Sequence, residues 1–272
     1  MMIQDLWTDM ECIDLSVPLS EEYPLNWPSL PPFRKRLLNW FKEYTEPNGV
    51  QVPSRGLWYT QSFEIDEHTG THVDFPSHSF PFDELKALGL AEEPPLKSFA
   101  GPAVVIDARA CLDQAPAGIS PRIPVEVAET WEKKHGPIQS GEVVLLNSGY
   151  FDRYFAPFPE GKHLLQDFLD RSDRPGWPVP SDDLLQFLAK RGTCHLGISS
   201  PSLGALDNNP GPHQLGVKLG MTFAECLINL HKLPPRGALY VGLPLKIAKQ
   251  SGSPVRAVAF VPRNLGKEDP SR

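Results

Sequence analysis

The stretch Ala103-Val104-Val105-Ile106-Asp107 is an almost continuous apolar run that ends on a carboxylate. An apolar run without polar alternation is typical of a strand that is buried on both faces of a sheet. Val143-Val144-Leu145-Leu146-Asn147 repeats the pattern further along the chain. Similar runs at 195–198, 239–243 and 255–261 also predict strands. The sequence therefore predicts several buried strands that are distributed over its C-terminal two-thirds.

Helical patterns lie between these strands. The clearest covers residues 182–191, where Ser181 is placed to cap the N-terminus, two aspartates lie in the first turn and Gly192 stops the helix. Its apolar stripe consists of Leu184, Leu185, Phe187 and Leu188. Residues 124–134 and 33–44 predict two further helices. Strands interleaved with helices indicate an α/β fold.

Composition limits the classes of protein to which the chain can belong. Its 272 residues can bury a substantial core, and no break in composition requires a second domain, so we expect one domain over residues 1–272. Hydrophobic residues make up 40% and charged residues 22%, a balance typical of folded globular proteins. A formal net charge of -7 gives no basic surface for nucleic acid or anionic lipid. We therefore expect a small-molecule partner, with no nucleic acid and no membrane.

Two features predict where the protein works. No run of about 18 apolar residues occurs, and the N-terminal residues 1–7 do not form a basic-then-apolar leader, so we expect a cytoplasmic protein. Cys12, Cys111, Cys194 and Cys226 are widely separated, without the close pairing of a thiolate metal site or a redox dithiol. We expect all four to be free thiols.

Three imidazoles and a carboxylate lie within the eleven residues His68-Thr69-Gly70-Thr71-His72-Val73-Asp74-Phe75-Pro76-Ser77-His78. Such nitrogens and oxygens suit a zinc, manganese or iron cation. The β-branched residues, the glycine and the proline oppose a helix, so we predict an extended or turning segment. In that geometry His72, Asp74 and His78 point the same way, and the glycine lets the chain bring His68 back toward them. A single histidine is more often merely hydrogen-bonded, but this density favours a metal or catalytic site.

Two further candidate ligands lie near a second glycine-rich stretch. His213 follows Gly211-Pro212, and Glu225 lies in the otherwise largely apolar run 221–228. A buried carboxylate is unfavourable unless it is paired. A buried ion pair for Glu225 and a backbone hydrogen bond for His213 are the alternatives to metal binding. A cation held by one loop alone would be poorly fixed, so we predict that both residues join the site.

The eleven-residue stretch matches the motif HxGTHxDxPxH, and through it the chain resembles the cyclase family of metal-dependent hydrolases, which includes bacterial kynurenine formamidases and isatin hydrolases. Residues 13–20, 213–225 and 233–257 extend the resemblance over most of the chain. The chain departs from the family at Ser199, where many members carry an aspartate. Its segment 33–59 is also longer than in compact members.

The resemblance implies a fold, an assembly and a set of roles. The fold is a swivelling β/α/β domain with a central mixed sheet or barrel-like core flanked by helices, and the assembly is a homodimer or larger. His78 is implied as the general acid or base, and the implied metal ligands are His68, His72, Asp74, His213 and Glu225. Five ligands exceed the three that a catalytic zinc typically takes, so either two metals bind or one metal is octahedral. We expect one or two zinc ions, with manganese as the alternative.

The reaction expected at such a site is hydrolysis. A bound cation makes water more acidic and polarises a carbonyl, and His78 is placed to move a proton to the leaving group. The substrate is expected to be a small amide, cyclic amide or imide, or lactone. Trp27 is a candidate for stacking on an aromatic substrate, although a tryptophan beside proline more often packs against a loop.

Two other functions stay open. His72, Asp74 and His213 satisfy the two-His, one-carboxylate pattern of iron oxygenases, which leaves His68 and His78 without a role. The other is a family member that binds a metal or ligand without catalysis, and Ser199 in place of the usual acid keeps that alternative open.

Overall fold

The computed structural model describes residues 9–165 and 174–263. The strands in this part of the chain are β1 (Met10–Asp14), β2 (Arg34–Asn39), β3 (Tyr44–Thr45), β4 (Gln51–Val52), β5 (Thr60–Glu64), β6 (His72–Asp74), β7 (Ala100–Asp107), β8 (Arg122–Ile123), β9 (Val143–Asn147), β10 (Val179–Pro180), β11 (His195–Ile198), β12 (Thr222–Glu225), β13 (Arg236–Val241), β14 (Gly252–Pro254) and β15 (Val258–Pro262). The α-helices are α1 (Phe82–Ala87), α2 (Val125–His135), α3 (Tyr150–Tyr154), α4 (Asp182–Lys190) and α5 (Pro210–Lys218).

A nine-stranded mixed sheet organises the described residues, in the order β1-β15-β13-β7-β9-β11-β12-β6-β14. The neighbours β7, β9, β11 and β12 are parallel, and antiparallel strands flank them on both sides. Parallel neighbours need long crossover connections, and these contain α2, α4 and α5 in turn. The predicted α/β class with a central mixed sheet flanked by helices is confirmed.

The two faces of the central strands belong to two different cores. Val104 and Ile106 pack with side chains of α2, α4 and α5 on one face. Val105 and Leu145 point to the other face, where the curled sheet brings them against Tyr240 and other residues of the antiparallel strands. Burial on both faces removes the polar alternation of a half-exposed strand, which explains the continuous apolar runs of β7 and β9.

Most of the predicted elements are present. The predicted runs 103–107 and 143–147 lie in β7 and β9, and 195–198 is β11. The other two runs are displaced, because β13 ends at Val241 and β15 begins only at Val258. Ser181 caps α4, since its Oγ accepts a hydrogen bond from the backbone N–H of Leu184 at 3.2 Å.

The predicted helix over residues 33–44 is wrong. This stretch contains β2, which pairs with β5, and Tyr44, the first residue of β3, which pairs with β4. Apolar residues spaced three and four apart imitate a helical stripe there, but pairing with residues 60–64 decides the backbone conformation. We call residues 33–64 the hairpin arm. Every residue of β5 is exposed, so little of the arm is held by burial.

Two further observations concern the cysteines and the helices. All four cysteines are free thiols, as predicted. Within the described ranges, no helix combines the length and the apolar character that a membrane crossing requires.

Candidate metal centre and active site

The motif segment, residues His68–His78, enters the sheet as β6 between β12 and β14. It is an extended strand followed by a short 3-10 turn over Pro76–His78, which agrees with the predicted absence of an α-helix. In the antiparallel pairing of β6 with β12, His72 lies directly opposite Glu225. Since side chains two residues apart share a face, Asp74 projects to the same side as His72. Sheet register therefore brings three candidate ligands together.

Four buried side chains converge at this point. His72 Nε2 lies 3.4 Å from Asp74 Oδ1 and 3.4 Å from Glu225 Oε2. His213 Nε2, which α5 supplies, lies 3.1 Å from Glu225 Oε1 and 3.4 Å from Asp74 Oδ2. All four residues are buried. The structure thus brings together the two remote parts of the sequence that were predicted to meet.

Backbone groups hold these rings and carboxylates in place. His72 Nδ1 is 2.8 Å from the carbonyl oxygen of Gly70, and His213 Nδ1 is 3.1 Å from that of Asn209, so both rings direct Nε2 toward the carboxylates. Glu225 Oε1 accepts a hydrogen bond from Leu203 N–H at 2.6 Å. Gly70 adopts φ +65°, and a Cβ there would approach Leu19 to 2.9 Å, so the turn before β6 favours glycine.

His68 and His78 complete the cluster on its outer side. His68 Nδ1 is 2.9 Å from Asp74 Oδ1. The ring centroid of His78 is 4.1 Å from that of His68 and 5.7 Å from that of His213. His78 is exposed at the mouth of the site, whereas the residues below it are buried. All six predicted site residues of the motif and of the second stretch therefore lie in one place.

The charges of the cluster balance one another. Burial alone would lower the pKa of His213, but the carboxylates of Asp74 and Glu225 raise it to about 10. Burial likewise opposes the charged form of His72, and its contacts with Asp74, Cys226 and Glu225 raise its pKa well above the ordinary value. Burial would raise the pKa values of both carboxyl groups, whereas the adjacent imidazoles lower them. These contacts favour ionised carboxylates at Asp74 and Glu225 with positive charge between them.

The outer histidine behaves differently from the buried ones. Desolvation, together with the neighbouring imidazoles of His68 and His213, lowers the pKa of His78, and the attraction of Asp74 only partly opposes this. A lowered pKa keeps more of the ring neutral near pH 7, with a nitrogen lone pair that is able to accept a proton.

The donor set fits a divalent cation. One set of atoms within 4.8 Å of one another comes from His72, Asp74 and Glu225, and a second comes from His68, Asp74 and His78. Asp74 Oδ2 is buried and lies 3.4 Å from His213 Nε2, but it makes no well-formed hydrogen bond among the described residues. A buried carboxylate oxygen without a hydrogen bond is costly, and a cation would satisfy it. Because both sets contain Asp74, the arrangement suits one cation or two that share this carboxylate.

A small cavity of about 230 Å³ opens onto this cluster. Trp27 lies in its wall and also packs edge-on against Trp177, with ring centroids 5.7 Å apart. The lining residues that sequence reasoning missed are Ser29, Leu30, Ser202 and Asn209. No local pattern marks them, since they come from loops whose approach to the site depends on the fold.

Ser199 lies outside the cavity lining and serves the backbone instead. It is fully buried after β11, and its Oγ accepts hydrogen bonds from the N–H groups of Ser148 at 2.8 Å and Gly149 at 3.2 Å. The serine therefore fixes the turn that leads into α3. It makes no hydrogen bond to the candidate ligands among the contacts that the structure describes.

Comparison with known proteins gives a consistent family. The family model described as "Putative cyclase" matches residues 13–205. An isatin hydrolase of Roseibium aggregatum is 28% identical over 204 residues, which are 73% of this chain and 73% of that protein. A kynurenine formamidase of Salinibacter ruber is 30% identical over 203 residues, which are 72% of this chain and 77% of that protein.

Solved structures agree in fold. The crystal structure of an isatin hydrolase bound to the product analogue thioisatinate superposes with a TM-score of 0.76 at 23% identity, covering 96% of this chain and 95% of that one. A structure described as a potential metal-dependent hydrolase with cyclase activity superposes with a TM-score of 0.59 at 21% identity, covering 92% of this chain and 98% of that one. At these identities the likeness concerns the fold.

Proposed function

Because this chain belongs to the cyclase family, in which the relatives compared above include a hydrolase and a formamidase, we propose that it is a metal-dependent hydrolase. The bond cleaved is the C–N or C–O bond of a small amide, cyclic amide or imide, or lactone. The observation that carries this proposal is the convergence of four buried ligand-type side chains on one point, with a histidine at the mouth of the same cavity.

The residues that would hold the metal are His68, His72, Asp74, His213 and Glu225. Their nitrogen and oxygen donors suit zinc, with manganese as the second choice. A divalent cation bound there supplies Lewis acidity, which polarises a carbonyl and makes water more acidic. The protein contributes fixed donor positions, because each of His72, His213 and Glu225 has a second hydrogen bond to backbone.

His78 is the proposed general acid and base. Its exposure at the mouth lets it reach both an incoming water and a leaving nitrogen or oxygen. Its lowered pKa favours the neutral ring that accepts the first proton, which the same ring then donates to the leaving group. The second donor set contains His78, so a ligand role is the competing assignment. Metal retention by a His78 variant separates the two roles.

The cavity supports a small substrate. A volume of about 230 Å³ is below the usual range for drug-sized ligands. Trp27 offers an aromatic face or edge in the wall, which fits a substrate that carries a ring. The chemistry of the named relatives, an isatin hydrolase and a kynurenine formamidase, points in the same direction.

The test is metal analysis of the purified protein followed by hydrolysis assays. Metal-free protein is reconstituted with Zn²⁺ or Mn²⁺ and is given a panel of N-formyl anilines, cyclic amides, imides and lactones in anaerobic buffer. We expect hydrolysis of at least one class, and only with metal present. Absence of metal binding would overturn the proposal, and turnover that requires iron and oxygen would replace it with the oxygenase alternative.

A further inference from the structure

A hydrogen-bonded chain lies behind His68, on the side away from the buried cluster. His68 Nε2 is 3.0 Å from Ser251 Oγ, and Ser251 Oγ is 2.5 Å from Glu67 Oε2. The backbone N–H of Ser251 also donates to Glu67 Oε2 at 2.9 Å. At the other edge of the same imidazole, Nδ1 faces Asp74 Oδ1 at 2.9 Å. His68 therefore connects the hydrogen bonds of Ser251 and Glu67 to the candidate metal ligands.

The direction of these hydrogen bonds is fixed by the groups involved. A carboxylate only accepts, so the single hydroxyl proton of Ser251 goes to Glu67. The serine oxygen is then free to accept from His68, so Nε2 of His68 carries the proton. Because Nε2 is committed to Ser251, Nδ1 is the nitrogen that faces Asp74; it donates to that carboxylate when no cation is bound, and a cation held beside Asp74 would take the place of this proton. Glu67 and Ser251 thus select which nitrogen of His68 is able to bind a cation.

The start of strand β14 also limits the movement of the His68 ring. Gly252, the first residue of β14, follows Ser251 directly, and a Cβ at this position would lie 2.6 Å from His68 Cε1 and 3.0 Å from His68 Nδ1. The opposite side of the ring meets His78, with centroids 4.1 Å apart. The imidazole is therefore held between a glycine backbone and a second ring, in the orientation that the hydrogen bonds select.

We propose that Glu67 and Ser251 are positioning residues that orient the imidazole of His68, and fix its tautomer, for metal binding through Nδ1. The inference rests on the metal-dependent function proposed above and extends it to two residues outside the ligand set. The physical reason is that a histidine ligand binds best when its second ring nitrogen donates to a fixed acceptor, and loss of such a partner typically lowers metal affinity about tenfold to hundredfold.

The test measures metal affinity directly, without an activity assay. Metal-free wild-type protein and the variants Ser251→Ala, Ser251→Thr and Glu67→Gln are titrated with Zn²⁺ and with Mn²⁺ against a competing chelator. The matched control is Ser77→Ala, which also removes a serine hydroxyl between the motif segment and this part of the chain, since Ser77 Oγ donates to the carbonyl of Gln250 at 2.8 Å. Thermal midpoints of all metal-free proteins report folding separately.

We expect Ser251→Ala and Glu67→Gln to raise the metal dissociation constant about tenfold to hundredfold, while Ser251→Thr and Ser77→Ala stay within about threefold of wild type. Wild-type affinity in Ser251→Ala and Glu67→Gln would overturn the positioning role and leave the proposed hydrolase intact. An equal loss in Ser77→Ala, or a loss that only follows a lower thermal midpoint, would also overturn it. Failure of the wild-type protein to bind either metal would overturn the hydrolase proposal and the positioning role together.

Discussion

The motif segment and the hairpin arm are neighbours in sequence but differ in almost every physical respect. Residues 71–76 are buried and include β6, which lies between two strands of the nine-stranded sheet, whereas β5 of the arm is exposed along its whole length. The motif segment contacts strands that come from residues 222–254, whereas the arm pairs with itself. The ligand-type residues that lie close together in the sequence of the motif segment also lie close together in the folded protein. The apolar pattern of the arm is misleading, because most of its side chains are exposed and only Phe33, Asn39 and Val52 are buried.

Among variants that test this difference, a substitution of Asp74 is expected to have the largest effect on metal binding and turnover, because both candidate donor sets contain Asp74. Asp74→Asn keeps the size of the side chain but removes a charge, so we expect loss of metal binding and a fall in kcat of more than about 10³-fold. Metal content and steady-state kinetics measure this. Asp107→Asn is the control, since Asp107 forms an exposed ion pair with Arg109. Near-normal turnover in Asp74→Asn would remove the shared carboxylate from the site.

His78 is expected to have the next largest effect. His78→Ala should lower kcat about 10²-fold to 10³-fold while metal content stays at the wild-type level, because a general acid or base contributes to proton transfer and not to metal binding. The matched control is His231→Ala, since His231 is exposed and pairs with Asp152 at 3.1 Å. Loss of metal from His78→Ala would instead make this residue a ligand.

A buried histidine away from the site tests whether carboxylates or burial set the charge of an imidazole. His195 is fully buried and lies 2.8 Å from Thr222 Oγ1 and beside the Tyr240 ring, and desolvation lowers its pKa to about 3. His72 and His213 are also buried, but carboxylates raise their pKa values.

The consequence for stability has a definite sign. Below about pH 6.5 the unfolded chain binds a proton at His195, whereas the folded chain does not. Protonation of His195 therefore does not reduce the free energy of unfolding above pH 6.5, and reduces it progressively as the pH decreases toward 3. Between pH 6.5 and 4.5 we expect this residue to contribute a loss of about 2 to 3 kcal/mol. Denaturant unfolding at several pH values measures this. The free energy of unfolding of His195→Gln should change less with pH than that of the wild type, whatever the absolute stability of the variant. Identical slopes would contradict the neutral assignment.

The smallest effect is expected in the hairpin arm. Leu57 is 87% exposed, so Leu57→Ser should change the free energy of unfolding by less than about 0.5 kcal/mol. Urea unfolding at two protein concentrations measures this. A larger loss that grows on dilution would show that a second copy of the chain covers the arm, as the expected homodimer would allow.

Several parts of the fold were predictable from local pattern, and the failures share one cause. Val104 and Ile106 lie in a run whose continuous apolarity requires burial on both faces, and Ser181 carries a hydroxyl that caps a helix wherever that helix packs. Arg34–Asn39 has no such constraint, because its partner strand lies beyond two intervening strands of the arm. Local spacing cannot reveal a pairing that depends on residues 60–64.

The candidate site divides in the same way. His68, His72, Asp74 and His78 were identifiable because ligand chemistry is a property of side chains and their close spacing needs no fold. Ser251 gave no comparable signal, since a serine hydroxyl is common and only its distance to His68 gives it a role.

The sequence by itself determined which atoms are available: the imidazoles, the carboxylates and the apolar runs that must be buried. Only the tertiary structure decided which of them meet. The antiparallel register of β6 with β12 places His72 opposite Glu225, and α5 delivers His213 to the same point. Strand register and helix packing arise from contacts between residues far apart in the chain, and the free energy of those contacts depends on the whole fold rather than on any local stretch.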